Sequence, residues 1–185
     1  MSWTVGRDAD QQMSEPLGQS SAGFPRWKPV LVAGLAGALV LFIGGTITDI
    51  GPWYHSLRKP SWQPPDWLFG PAWTVIFILV TLAAAKAWQG AGGRENRHWV
   101  LGLFALNGFL NIMWSVFFFR LQRPDWALLE VALLWLSILM LIVFFWRRTQ
   151  AASLLLTPYL AWVSFAAALN LAVVMLNGAG AAHVS

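Results

Sequence analysis

Residues 126–146 read WALLEVALLWLSILMLIVFFW, 21 residues between Asp125 and Arg147 in which Glu130 is the one charged side chain. At 1.5 Å per residue a helix of that length reaches about 30 Å, the thickness of a bilayer's hydrocarbon core. Other windows match it. Residues 29–48, 67–85 and 98–119 hold no Asp, Glu, Lys or Arg over 20, 19 and 22 positions. Beyond Arg148 no such residue occurs, and 154–176 is almost wholly apolar. In lipid only helices and closed barrels satisfy their own backbone groups. Barrel strands would appear as alternating segments of about ten residues, and the sequence has none. The pattern predicts an all-α fold: a five-transmembrane-helix bundle with spans near 28–49, 70–89, 98–119, 125–146 and 151–177, and a long ordered loop between the first two.

Composition points the same way. Of 185 residues, 57% are apolar and 11% charged, with a mean hydropathy of +0.57. A soluble domain carries about 25% charged residues, so a water-soluble or disordered chain is excluded. The absence of cysteine removes disulfides, thiolate nucleophiles and cysteine-held metals. A net charge of +4, scattered and without a polybasic run, argues against nucleic acid. Residues 1–26 are polar and lack an apolar signal-peptide core, which predicts a disordered N-terminal tail; 27–178 form the membrane domain and 179–185 a C-terminal tail. The links at 90–93, 123–125 and 147–150 are short, so consecutive helices are expected to be antiparallel neighbours. Eight Lys and Arg fall on the N-terminal side and four (Arg58, Lys59, Arg120, Arg123) on the other, which predicts a cytoplasmic N-terminus. A multi-pass reading holds equally for a bacterial inner or outer membrane and a mitochondrial outer membrane.

The first loop, IGPWYHSLRKPSWQPPDWLFG over 50–70, is long for a helical bundle. Pro52, Pro60, Pro64 and Pro65 stiffen it and leave it only briefly helical. Thirteen Trp against two Tyr is the compositional anomaly. Trp27, Trp88, Trp99 and Trp146 fall near span ends, as an interfacial belt would place them. Trp53, Trp73, Trp114 and Trp162 fit a belt less well.

The ordered motifs are recognisable. Trp53-Tyr54, Leu57-Arg58-Lys59-Pro60-Ser61-Trp62-Gln63-Pro64-Pro65, Trp67, Phe69-Gly70-Pro71 and Trp73-Thr74 resemble the first-loop signature of the TspO/translocator-protein family, also called tryptophan-rich sensory protein or peripheral benzodiazepine receptor. Asn107, Asn111, Trp114-Ser115 and Phe117-Phe118 follow, then Trp126 to Glu130, Pro158 to Trp162, Phe165-Ala166 and Leu169-Asn170. The resemblance spans about 28–177 in the family's order. It implies a five-helix fold whose first loop closes a pocket. It also implies a tetrapyrrole ligand (protoporphyrin IX or haem), benzodiazepine-type drugs, sterols in animals, and a sensor or regulator role. It puts Trp53, Tyr54, Trp73, Asn111, Trp126, Trp162 and Ala166 around the pocket. Trp73 and Trp162 match the tryptophans tied to porphyrin degradation in this family. The animal sterol motif ends the fifth helix with a tyrosine and a basic residue; here 168–175 read ALNLAVVM, a departure that argues against tight cholesterol binding.

The candidate ligand-binding set is therefore Trp53, Tyr54, Trp73, Asn107, Asn111, Trp114, Trp126, Trp162, Phe165 and Ala166, with Arg58, Lys59, Pro60, Trp62 and Trp67 on the lid. A porphyrin needs aromatic faces and a few polar groups at the rim. Arg58 and Lys59 are expected either to meet its carboxylates or to reach lipid headgroups. Asn107 and Asn111 share a helix face and either glue helices or touch ligand. Glu130 reads first as an acid bonded to a neighbouring helix, and second as a functional group. His55, His98 and His183 are far apart, so no metal site is expected; His55 is the one candidate for an axial haem ligand. No conventional catalytic constellation occurs, which leaves porphyrin transport, or light-dependent degradation through Trp73 and Trp162, as alternatives to sensing. Small residues on the first and third helices (Ala33, Gly34, Gly37, Ala38, Gly102, Ala105, Gly108) permit close packing within one chain or in a homodimer.

Overall fold

Prolines and glycines set the helix boundaries. Pro52 and Pro124 open helices in the first turn, where a missing N–H has no intrahelical partner to lose. Gly178 ends the last helix at φ 82°, a left-handed conformation that suits glycine, and its N–H returns to the Val174 carbonyl at 2.9 Å. The structure, a computed structural model, describes residues 27–178; the tails expected at 1–26 and 179–185 lie outside the described residues. Its helices are α1 (Trp27–Ile47), a short α2 (Pro52–Ser56) in the first loop, α3 (Phe69–Gly90), α4 (Arg94–Ser115), α5 (Pro124–Trp146) and α6 (Gln150–Asn177). All but α2 are long and apolar enough to span a bilayer. No strand occurs among the described residues. This is an integral, multi-pass, all-α membrane protein.

Apolar side chains exposed around the bundle, such as Leu35, Phe42, Leu129 and Met175, form the acyl-facing surface. Pro158 lies inside α6 without breaking it. The Leu154 carbonyl that loses its N–H partner there accepts the Thr157 hydroxyl instead, at 2.8 Å.

The spans close a ring in the order α1, α3, α6, α5, α4 and back to α1. Of the three pairs joined by short links, α4–α5 and α5–α6 are neighbours as expected; α1 and α3, joined by the long loop, are neighbours as well. The exception is α3 and α4, which touch only lightly; α4 lies against α5 and α1 instead. Side-chain size explains the gap. The second half of α3 carries Ala83, Ala85 and Ala87, all buried, and packs with Val100, Leu141, Phe145, Ala152 and Leu156 into a closed core. Its first half carries Phe69, Trp73 and Phe77, rings that border a hollow. The larger hollow thus lies beneath the first loop, while the 86–100 end encloses only a smaller one of about 140 Å³.

Two of the small residues, Gly37 of α1 and Gly108 of α4, pack within the chain, whereas Ala38, Gly102 and Ala105 are exposed. A Cβ on Gly37 would stand 3.0 Å from the Thr81 hydroxyl of α3, and one on Gly108 would stand 3.3 Å from Val40. After α4 the chain turns through Gln122 at φ 54°, a conformation costing a side-chain-bearing residue about 1 kcal/mol. Gln122→Gly is expected to stabilise the fold by about 0.5–1 kcal/mol, read as a higher midpoint of thermal unfolding in detergent.

Candidate functional site

Asn107, Asn111 and Ser115 recur every fourth residue, so they share one face of α4, and all three are buried. The Asn107 amide donates to the Ser137 hydroxyl of α5 at 2.9 Å, and the Asn111 amide donates to the Tyr159 hydroxyl of α6 at 3.2 Å. Through Asn107 and Asn111 this polar stripe joins α4 to α5 and α6. Past Ser115 the helix widens into a π-helical turn, Val116–Arg120, closed by the Leu121 N–H on the Val116 carbonyl at 2.8 Å. The wider turn directs Phe118 and Phe119 under the loop. Phe118 stacks on Trp114 at 5.3 Å and meets Trp53 edge-on at 6.0 Å; Phe119 lies 5.9 Å from Tyr54.

The loop is tied to itself as well as seated on these rings. Tyr54 donates to Asp66 Oδ1 at 2.9 Å, and Gln63 donates to both, at 3.2 and 3.0 Å. The Lys59 ammonium sits 3.4 Å above the Tyr54 ring and 4.0 Å from Asp66 Oδ2. Burial first, and the Asp66 bond second, push the Tyr54 phenol well above its ordinary range, so it remains a neutral donor. Burial pulls the Lys59 ammonium below its usual value, opposed by the Asp66 charge.

Beneath this lid lies a cavity of about 330 Å³, walled by α1, α3, α4 with its π turn, α6 and the lid. Trp73 of α3 meets Trp162 of α6 at 6.5 Å with planes 86° apart, and Tyr159 at 6.2 Å. Volume and lining are those of a small-molecule pocket: mostly apolar, with a few convergent polar groups.

Six members of the candidate set border this space: Tyr54, Trp73, Asn111, Trp114, Trp162 and Ala166. Four do not. Trp53 backs Phe118. Asn107 lies one turn along α4, bonded to Ser137. Phe165 sits between Trp62 and Trp162, at 5.9 and 5.5 Å. Trp126 lies on the outer face of α5, 48% exposed, edge-on to Phe117 and under the Arg123 guanidinium at 4.5 Å. Trp126 cannot reach the cavity because α5 is the outer wall of the ring and lends it no lining residue.

On the lid, Lys59 borders the cavity, whereas Arg58, Pro60, Trp62 and Trp67 do not. Trp62 and Trp67 are exposed, as are the span-end residues Trp27, Trp99 and Trp146. Trp88 instead packs beneath Arg97, at 5.3 Å. His55 is exposed beside Tyr54, and among the described residues no His, Cys or Met lines the cavity. Glu130 is buried on α5 at 5% exposure, and its two oxygens meet no donor among the described residues, contrary to the expected bond to a neighbouring helix.

Sequence reasoning passed over Asp66, Gln63, Phe118, Phe119 and Tyr159. A signal for Ser115 was available, because it continues the four-residue period of Asn107 and Asn111. None existed for the π turn, which arises from packing.

Comparison with known proteins agrees with this architecture. The TspO/MBR family model matches residues 30–176. The chain is 43% identical over 156 residues to the tryptophan-rich protein TspO of Chlorobaculum tepidum, covering 81% of this chain and 98% of that one. It is 37% identical over 150 residues to a protein of the same name from Archaeoglobus fulgidus, covering 80% and 96%. Against the translocator protein of Homo sapiens it is 33% identical over 149 residues, covering 79% and 88%. Five spans, a lidded indole-walled hollow and these relationships together make the chain a member of the TspO/MBR family.

Proposed function

We propose that this membrane protein binds a porphyrin-type tetrapyrrole in the cavity beneath the lid and acts as a sensor or regulator of such compounds. The observation that carries the reading is the wall itself, where Trp73, Trp114 and Trp162 offer aromatic faces within one hollow and Lys59 stands at its rim. A flat macrocycle matches the apolar wall, and one of its edge carboxylates would draw Lys59 from Asp66, which lines the same cavity. Metal-free protoporphyrin IX suits the wall better than haem, whose iron would find no imidazole, thiol or thioether there. Benzodiazepine-type compounds, being aromatic and smaller, suit the same wall.

Titration of the detergent-solubilised protein with protoporphyrin IX is expected to quench tryptophan fluorescence saturably. Trp162→Ala should weaken binding by about 1–2 kcal/mol, the range for one lost aromatic contact. Non-saturable quenching, or equal affinity in the variant, would overturn the reading. A second reading, light-dependent breakdown of the bound porphyrin, is favoured by the direct contact of Trp73 with Trp162. Its check is Soret absorbance followed in light and dark in the two Trp→Phe variants: light-dependent loss that both substitutions leave unchanged would sink it.

A further inference from the structure

The lid rests on the bundle mostly through ring contacts, which are non-directional and let one surface slide over another. A directional tie comes from the far end of the chain. In the last turn of α6, Asn177 accepts the Arg58 main-chain N–H at 2.8 Å and donates to the Arg58 carbonyl at 2.8 Å, across 119 residues of sequence. One carboxamide thus pairs with both main-chain groups of one lid residue, much as a strand neighbour would. Its remaining amide hydrogen donates to the Val173 carbonyl one turn back in α6, also at 2.8 Å, which holds the side chain in its pairing geometry.

The same helix repeats the device seven residues earlier. Asn170, buried, faces the Pro124 carbonyl and the Leu128 N–H across the first turn of α5; with its carboxamide turned so that the nitrogen meets the carbonyl, the two bonds span 3.0 and 3.1 Å. Seven residues place the two asparagines on one face of α6. One clamps a permanent helix partner. The other clamps the loop that covers the cavity.

We infer that Asn177 is a positioning residue, the latch that holds the lid closed over the cavity and sets how fast a ligand enters and leaves. The clamp grips main chain, so the exposed Arg58 side chain is not needed for it. Because Tyr54, Lys59, Gln63 and Asp66 bind one another, the lid opens as a unit once Arg58 is released. The part of this inference that concerns ligand exchange rests on the tetrapyrrole reading; the part that concerns lid opening does not.

The test uses the full chain in lipid nanodiscs. In Asn177→Ala, hydrogen exchange at the Arg58 amide is expected to rise about tenfold, as loss of two modest hydrogen bonds allows. Amides within α3, α4 and α5 should keep their wild-type rates. Asn177→Asp keeps the acceptor for the Arg58 N–H but turns a carboxylate oxygen toward the Arg58 and Val173 carbonyls, so it should restore little of the protection. With protoporphyrin IX, Asn177→Ala should speed association and release together by several-fold, with a smaller change in Kd. Unchanged exchange at Arg58 overturns the latch, as does faster exchange spread evenly over all helices, which would make Asn177 a general stabiliser. If wild type binds no porphyrin while the Arg58 amide responds as stated, the tetrapyrrole reading fails and the latch stands.

Discussion

Ala166→Phe is expected to weaken the proposed protoporphyrin binding about a hundredfold, while leaving the protein folded and no less stable. Ala166 sits one helical turn from Trp162 on α6 and borders the cavity. Its small side chain leaves the hollow open between Trp162 and the lid. A phenyl ring there would occupy space that a macrocycle needs, and a hundredfold loss corresponds to about 2.7 kcal/mol. Ordinary overpacking strains a filled core by about 1–3 kcal/mol. Here the added ring enters existing space and gains contacts, so stability should hold or rise by about 0.5–2 kcal/mol. Opposite movements in affinity and melting temperature are therefore the signature of this site. Full affinity in the variant would place the ligand elsewhere.

Tyr159→Ala should have the largest effect on stability, a loss of about 3–5 kcal/mol, the range for truncating a buried aromatic residue. Tyr159 is 2% exposed, supports Trp73 at 6.2 Å, and its hydroxyl accepts the Asn111 amide. Removal empties the junction of α3, α4 and α6 and leaves a buried amide short of a partner. Tyr159→Phe isolates the second cost: the ring stays, the acceptor goes, and about 1–3 kcal/mol should be lost. Unfolding in graded SDS mixed micelles measures both. If Tyr159→Phe matched wild type, the Asn111 bond would contribute nothing to the fold.

The sequence made the five spans legible because the bilayer imposes one length and one composition on any helix that crosses it. The 126–146 window needs no tertiary contact to be read, and neither did the split of span-end tryptophans from Trp53, Trp73, Trp114 and Trp162, although Trp53 backs Phe118 instead of lining the cavity and Trp88 packs beneath Arg97. The bland reading of the small residues on α1, as packing surface within one chain, also matches Gly37 against Thr81. Less legible was the seating of α4 beside α1, because a short link constrains two helix ends and leaves their bodies free to diverge.

Tertiary structure alone decided which recognisable residues meet. Trp126 and Trp162 look alike in a one-dimensional pattern, yet α5 stands outside the cavity and α6 forms its wall. Phe118 and Phe119 face inward only because the helix widens at Val116, a change in hydrogen bonding that residue spacing does not encode. Asn177 finds Arg58 only when the ring closes and brings the end of α6 to the first loop. Sequence determined what must lie in lipid, since that is a property of each segment and its solvent. Which side chains share a hollow is a property of helices relative to one another, and packing fixes it.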